Sequence, residues 1–406
     1  LCGCGKSSAE GGCLGASDRR RLELMIYLDH AATSLPKPEP VVMAVTAAMN
    51  CLGNSGRGAH SASLGASRMI YETREALSDF FGGDGPEQVV FTPNATAALN
   101  TVIQGILNPG DRAVTTAMEH NSVLRPLYRM EKQGVSLCVV PADEKGCLSM
   151  ERLEQELKPG TKALFCTHAS NVTGNVNDLK TIGTMCRDRG ILFVADVSQS
   201  AGILPIDMKE MAIDILCFTG HKGLLGPQGT GGICVRKGVS VRPLIVGGSG
   251  ILSYSREHPA QMPVALEAGT LNGHGIAGLK AALTYIREQG QDILRKKELE
   301  LMWYFYDQVS RLSQVTVYGD FSSRKALRTP VVSLNIGEED SGWAAGELAE
   351  RYGIQTRAGA HCAPLMHEAL KTRDRGAVRF SFSHLNTREE AEMAVYAVEQ
   401  LCREVE

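Results

Sequence analysis

CFTGHKGLLGP (Cys217–Pro227), read together with VADVSQSAG (Val194–Gly202) upstream, decides the fold. Lys222 stands at the end of an apolar run (Ile213, Ile215, Leu216, Phe218) and inside a Gly-rich turn. Asp196 closes an apolar run of its own (Ile191, Leu192, Phe193, Val194). Short continuous apolar runs predict strands buried on both faces, as in a parallel sheet covered by helices. Ligands of such sheets bind outside the carboxyl ends of the strands, where both residues fall. A lysine and an aspartate so placed suit pyridoxal 5'-phosphate. The amine forms a Schiff base with the cofactor aldehyde, and the carboxylate keeps the pyridinium nitrogen protonated so that the ring serves as an electron sink. Either residue alone reads as an ordinary strand-end side chain; the pair, with the motifs below, reads as a cofactor site.

Outward from these motifs the texture alternates. Helical patterns over 71–81, 96–107, 150–157 and 179–189 are interleaved with apolar runs at 89–91, 112–115, 137–140, 163–167, 191–195 and 213–218. The alternation predicts an α/β fold with a mostly parallel sheet covered by helices. After Gly269 come long amphipathic patterns (276–289, 292–312), a short strand (330–335) and a closing helix (387–403), which read as a smaller α+β domain. The expected division is a flexible Cys/Gly-rich tail over 1–24, a large cofactor-binding domain over 25–265 whose first residues pack with the small domain, and a small C-terminal domain over 266–406.

Composition narrows the function. Forty-two basic and 45 acidic side chains leave a formal charge of −3, so no basic surplus exists to hold nucleic acid or anionic lipid. No stretch reads as a membrane span, and the start of the chain lacks the apolar core of a signal peptide. Twelve cysteines, scattered through apparent strands and helices, fit a reducing cytoplasmic setting better than a disulfide framework. Cys138, Cys166, Cys217 and Cys234 read as small apolar core residues. Cys2, Cys4 and Cys13 lack the spacing of a zinc site.

Around the strand ends stand further candidates. TPNATAALNTVIQGIL (Thr92–Leu107) is a turn opening a helix, and the N–H groups at Ala95 and Thr96 with the Thr96 hydroxyl make a phosphate cradle or an ordinary cap. In MEHNSVLRP, His120 follows another strand end and can stack on the cofactor ring and shuttle a proton. Asn171 and Gln199 are neutral donors for the ring oxygen, and Thr270 offers a hydroxyl in EAGTLN. In IQTRAGAHCAPLMH (Ile354–His367), Cys362 lies in a Gly/Ala loop directly after His361 and five residues past Arg357; cations there would favour the nucleophilic thiolate. Arg379 in AVRFSFSHLNT is a surface charge or a clamp for a substrate carboxylate.

From Tyr27 to about Leu401 the chain resembles the class V aminotransferase-like, fold-type I pyridoxal phosphate enzymes, and within them the group II (SufS-like) cysteine desulfurase and selenocysteine lyase family. YLDHAAT (Tyr27–Thr33), RGAHSAS (Arg57–Ser63), Asp196-x-x-Gln199, TGHK (Thr219–Lys222), EAGT (Glu267–Thr270), RAGAHCA (Arg357–Ala363) and the Arg379 strand carry the resemblance. It implies that Lys222 holds the cofactor and acts as the base at Cα, with Asp196 at the pyridinium nitrogen. Gln199 and Asn171 would attend the ring oxygen, and His120 would serve as acid/base. Ala95, Thr96, Thr219 and His221 would hold the phosphate. Thr270 would reach the cofactor of a neighbouring subunit, which implies a homodimer. Arg379, with Asn171 and His30, would bind the substrate, L-cysteine. Cys362 would take its sulfur as a persulfide, release L-alanine and pass the sulfur to an acceptor protein, for iron–sulfur cluster or cofactor assembly. Two positions depart from the pattern: Ala360 stands where a first histidine is common, and Thr219 where serine is usual.

Three other readings compete. A selenocysteine lyase would need no loop cysteine, and another class V activity, transamination or β-elimination, would need no second thiol. A non-catalytic sulfur-delivery or regulatory scaffold would have no use for Lys222, Asp196, His120 and Arg379 together.

Overall fold

The computed structural model describes residues 25–406 apart from residue 57, so Cys2, Cys4, Cys13 and Arg57 lie outside the described residues. Twelve strands follow in order: β1 (Ile26–Tyr27), β2 (Val89–Thr92), β3 (Arg112–Thr116), β4 (Ser136–Val140), β5 (Thr161–Thr167), β6 (Leu192–Asp196), β7 (Ile215–Thr219), β8 (Gly231–Val235), β9 (Val315–Tyr318), β10 (Val331–Ile336), β11 (Ile354–Gln355) and β12 (Val378–Ser381). Seven of them form one sheet in the order β2-β8-β7-β6-β5-β3-β4. All of its strands run parallel except β8, which pairs antiparallel with both β2 and β7. The expected α/β fold with a mostly parallel sheet is what forms.

Alternating side chains explain why these strands read as unbroken apolar runs. Leu164, Phe193 and Leu216 enter the core on one face, with Leu77 and Leu279 from the covering helices and Phe81 at the end of one of them. Phe165, Val194 and Ile215 enter the core on the other, with Leu99, Val102 and Leu127. Both faces are covered, so neither needs polar residues. A third cluster surrounds the sheet β12-β10-β9, where Phe305, Phe380 and Phe382 pack with Leu28 from the start of the described chain. β1 pairs parallel with β11, so the first described segment lies beside the strand leading to Cys362. Ile276, Leu279, Leu283 and Ile286, on the helix Gly273–Gln289, join the large sheet's core rather than this third cluster.

Some elements differ from the sequence pattern. The helix expected from Tyr71 begins at Ser61, capped by the His60 side chain; SASLGAS carries no apolar stripe to announce it. The helix Asn121–Glu131 has Pro126 inside it, and β8 is built from GGICV, too rich in glycine to read as a strand. A Cβ on Gly232 would approach the carbonyl of Val90 to 2.4 Å, so close strand packing requires glycine there.

One buried ion pair ties the EAGT turn to this sheet. Arg74 meets Glu267 with both guanidinium arms, at 2.8 and 2.6 Å, and the Phe91 N–H donates to the same carboxylate at 2.6 Å. Removing one partner of a buried pair leaves an uncompensated charge, costing about 3–5 kcal/mol, whereas replacing both with apolar residues of similar volume is far milder. Urea unfolding is therefore expected to show Glu267→Ala destabilised by about that amount, and Arg74→Met/Glu267→Met by clearly less.

Candidate active site

The ends of β6 and β7 lie side by side, with Asp196 opposite Cys217 in the parallel register. Asp196 ends β6, Thr219 ends β7, and the turn after Thr219 carries His221 and Lys222. These four residues line one cavity of about 240 Å³, together with Ala95, Thr96, His120, Asn171 and Gln199. Every one of them was expected at a cofactor. The Asp196 carboxylate is fixed through Oδ1, which accepts from the Ser198 N–H at 2.9 Å and the Ser198 hydroxyl at 2.5 Å. At the cavity's other end the helix Ala95–Ile106 presents its first turn. Asn94 caps the Ala97 N–H at 2.9 Å, while the N–H groups of Ala95 and Thr96 precede that bond. A helix start of this kind carries partial positive charge and suits an anion.

Burial sets the charge states. It pulls the Lys222 amine down to about 8, against the pull of Asp196, which favours the cation. His120 is pushed down to about 4 by burial and then by the Lys222 cation. Its Nδ1 accepts from the Ser122 N–H at 3.0 Å, so the neutral ring keeps its proton on Nε2. His221 is likewise held to about 4, chiefly by burial. Below them Glu119, fully buried, is raised to about 8 by burial, although its Oε1 accepts from the Thr167 N–H and the Thr116 hydroxyl.

Other expected residues lie at the rim. Arg379 is buried on β12 and donates to Asp29 Oδ1 at 2.8 Å and to the Asn171 carbonyl at 3.0 Å; its Nε has no partner. His30 stands edge-on to Tyr27 in a smaller cavity that shares Gln199 and Lys222 in its lining. Thr270 lies outside the Lys222 cavity, in another of about 260 Å³ beside Leu244, Ile245 and Leu266. Cys362 is exposed, but its loop is docked: the Asn121 N–H donates to the Cys362 carbonyl at 2.7 Å, and the Asn171 amide donates to the His361 carbonyl at 2.7 Å. The cationic flank suggested by the sequence is not there as free charge. Burial first, and Arg379 second, hold His361 neutral with a pKa of about 3, and Arg357 is paired with Asp29 at 3.0 Å. Three contributors were not singled out as site residues in the sequence: Asp29, Ser198 and Glu119. Asp29 and Glu119 act through partners remote in sequence, and Ser198 through the Asp196 carboxylate two residues before it; only the position of Asp29 beside His30, within YLDHAAT, hinted at a role.

Residues 26–393 match the aminotransferase class-V family. The chain belongs to that family. A probable cysteine desulfurase of Methanothermobacter thermautotrophicus is 35% identical to this class-V chain over 393 residues, covering 94% of it and 97% of that protein. A cysteine desulfurase of Pectobacterium atrosepticum is 31% identical over 392 residues, covering 93% of each. The apo cysteine desulfurase of Thermococcus onnurineus superposes with a TM-score of 0.88 at 32% identity, covering 97% of this chain and 99% of that one. CsdA of Escherichia coli, a cysteine desulfurase in its S-sulfonic acid form, gives 0.84 at 26%, with 96% and 99% covered. The fold is therefore fold-type I, and the chain sits in the cysteine desulfurase branch of the class-V family.

The class-V cavity fits the family's pyridoxal phosphate by its donor set: one amine, one fixed carboxylate, a flat imidazole and a helix start grouped around one space. Only a neutral amine is nucleophilic, and an ordinary lysine reaches that state near pH ~10.4. Capture of pyridoxal phosphate by cofactor-free protein, followed by absorbance, should therefore rise with pH to a midpoint near 8. Lys222→Ala should bring no absorbance band of a covalently held cofactor.

Proposed function

We propose that this protein is a pyridoxal phosphate-dependent cysteine desulfurase, which converts L-cysteine to L-alanine and takes the sulfur onto Cys362. The observation that carries the reading is the docking of the Cys362 loop, through Asn121 and Asn171, on the rim of the cavity that holds Lys222 and Asp196. A transaminase or β-lyase site has no use for a thiol held there.

When bound, the cofactor draws electrons from the substrate's Cα and so makes its proton acidic and the Cβ–S bond labile. Lys222 would hold the cofactor, Asp196 would face its ring nitrogen, and the N–H groups of Ala95 and Thr96 with Thr219 and His221 would hold its phosphate. Arg379 would anchor the substrate carboxylate, with Asn171 and His30 on the same side. Lys222 would then take the Cα proton at its free amine, whose pKa burial lowers to about 8. The neutral His120 holds a proton at Nε2 and would exchange it on the face of the substrate it covers. The Cys362 sulfur would attack the substrate sulfur: an S–S bond forms, the Cβ–S bond breaks, and its electron pair stays on carbon, which takes up a proton to become alanine. The persulfide then passes to a thiol acceptor protein.

We further propose a homodimer. Val42, Met43 and Met49 on one helix, Leu64 and Tyr71 on the next, and Leu244, Ile245, Val246, Leu252 and Tyr254 are large apolar side chains left exposed. A second copy seated there would lie close to Thr270, whose cavity is lined by Leu244 and Ile245, so that Thr270 can serve the neighbour's cofactor. The nine described cysteines are free thiols, which supports a reducing, cytoplasmic setting, and no described helix is long and apolar enough to cross a membrane.

The test is sulfide and alanine release from L-cysteine with a thiol reductant. The wild type is expected to release both in equal amounts. Cys362→Ala is expected to lose both while keeping the absorbance of its bound cofactor. Undiminished turnover in that variant would overturn the reading and point to elimination chemistry or a lyase that needs no loop thiol.

A further inference from the structure

His361 and Cys362 adopt φ angles of 50° and 54°, two adjacent left-handed residues neither of which is glycine. Each such residue costs about 1–3 kcal/mol and persists only where its surroundings over-determine it. The bonds from Asn171 and Asn121 fix the two carbonyls of this turn. The side chain of His361 is fixed separately. Its Nε2 lies 3.1 Å from the Arg357 carbonyl and its Nδ1 lies 3.2 Å from His367 Nε2. His367 Nδ1 lies 2.7 Å from the Thr372 hydroxyl. All three side chains are buried, and the two rings lie within 12° of parallel.

The first member of this series, with the burial of both rings, sets the direction of the bonds. A carbonyl only accepts, so His361 carries its proton on Nε2 and leaves a lone pair on Nδ1. His367 must then donate from Nε2; burial lowers its pKa and so favours the neutral ring, whose Nδ1 accepts the Thr372 hydroxyl proton. Both imidazoles are neutral, and both nitrogens of each are committed. His361, although adjacent to Cys362, is therefore not its base. We propose that His367 and Thr372 are positioning residues for the sulfur nucleophile, which through His361 hold the left-handed Cys362 turn in its docked place. The proposal rests on the reading of Cys362 as nucleophile. His367 is itself seated on the helix Pro364–Ala369, whose Met366 packs with Ala363, Met118 and Val172, so the helix that carries this ladder of bonds rests against the strand-end region leading to His120.

A displacement of about 1 Å at a reacting group lowers rate by about a hundredfold. In holoenzyme assayed for sulfide release, His367→Ala is expected to lower kcat by roughly tenfold to a hundredfold, with KM and cofactor absorbance kept. His367→Gln should restore kcat to within a few fold, because its amide N–H can donate to His361 and its carbonyl can accept from Thr372. Thr372→Val removes only the last donor without changing side-chain volume, and should lower kcat several-fold; it carries the test should His367→Ala not fold. Nitrogen NMR of the wild type at neutral pH should find both imidazoles neutral with the proton on Nε2. Wild-type kcat in His367→Ala and Thr372→Val beside an inactive Cys362→Ala, or an Nδ1-protonated His367, would overturn the ladder and leave the desulfurase reading standing. An active Cys362→Ala would overturn that reading and the proposal with it.

Discussion

Asp29 is the carboxylate on which the arrangement of the site depends. It accepts from Arg379 at 2.8 Å on one oxygen and from Arg357 at 3.0 Å on the other. Arg379 is 2% exposed, so its charge would be untenable without a partner. Three separate stretches meet at this one group: the segment after β1, the strand β12, and the stretch from β11 towards Cys362. Arg379 then reaches across to the Asn171 carbonyl, on the loop after β5. The third core cluster and the large sheet are thereby held in one geometry at the point where substrate, cofactor amine and thiol have to meet.

Around that point the dominant electrostatic effect is desolvation, and it acts in one direction. Amines and imidazoles are driven towards their neutral forms, Lys222 to about 8 and His120 and His221 to about 4, while the Glu119 acid is driven to about 8. Charge is kept where it has a fixed partner, as at Arg379 and Asp29. Burial brings the neutral, nucleophilic form of the amine within reach near pH 8 and keeps the proton-bearing imidazole neutral at ordinary pH.

Much of this was legible in the sequence because buried parallel strands leave a strong signature and their carboxyl ends place chemistry. Lys222, Asp196, Thr219 and His120 were found in that way, and the cavity gathers them. What stayed hidden shares a physical cause. β8 fits against its neighbours through two glycines, the helix from Ser61 starts at a histidine cap, and the role of Asp29 comes from partners more than 300 residues away. The flank of Cys362 misled for a related reason. His361 and Arg357 read as cations in the sequence, but burial neutralises one and Asp29 pairs the other.

The central claim is that substrate sulfur comes to rest on Cys362. Holoenzyme given one equivalent of L-cysteine without reductant, then digested and mapped by mass spectrometry, addresses it directly. The account predicts one added sulfur atom on the peptide containing Cys362, in proportion to the alanine formed. Alanine accumulating while Cys362 stays unmodified, or the sulfur appearing on exposed Cys51 instead, would contradict it.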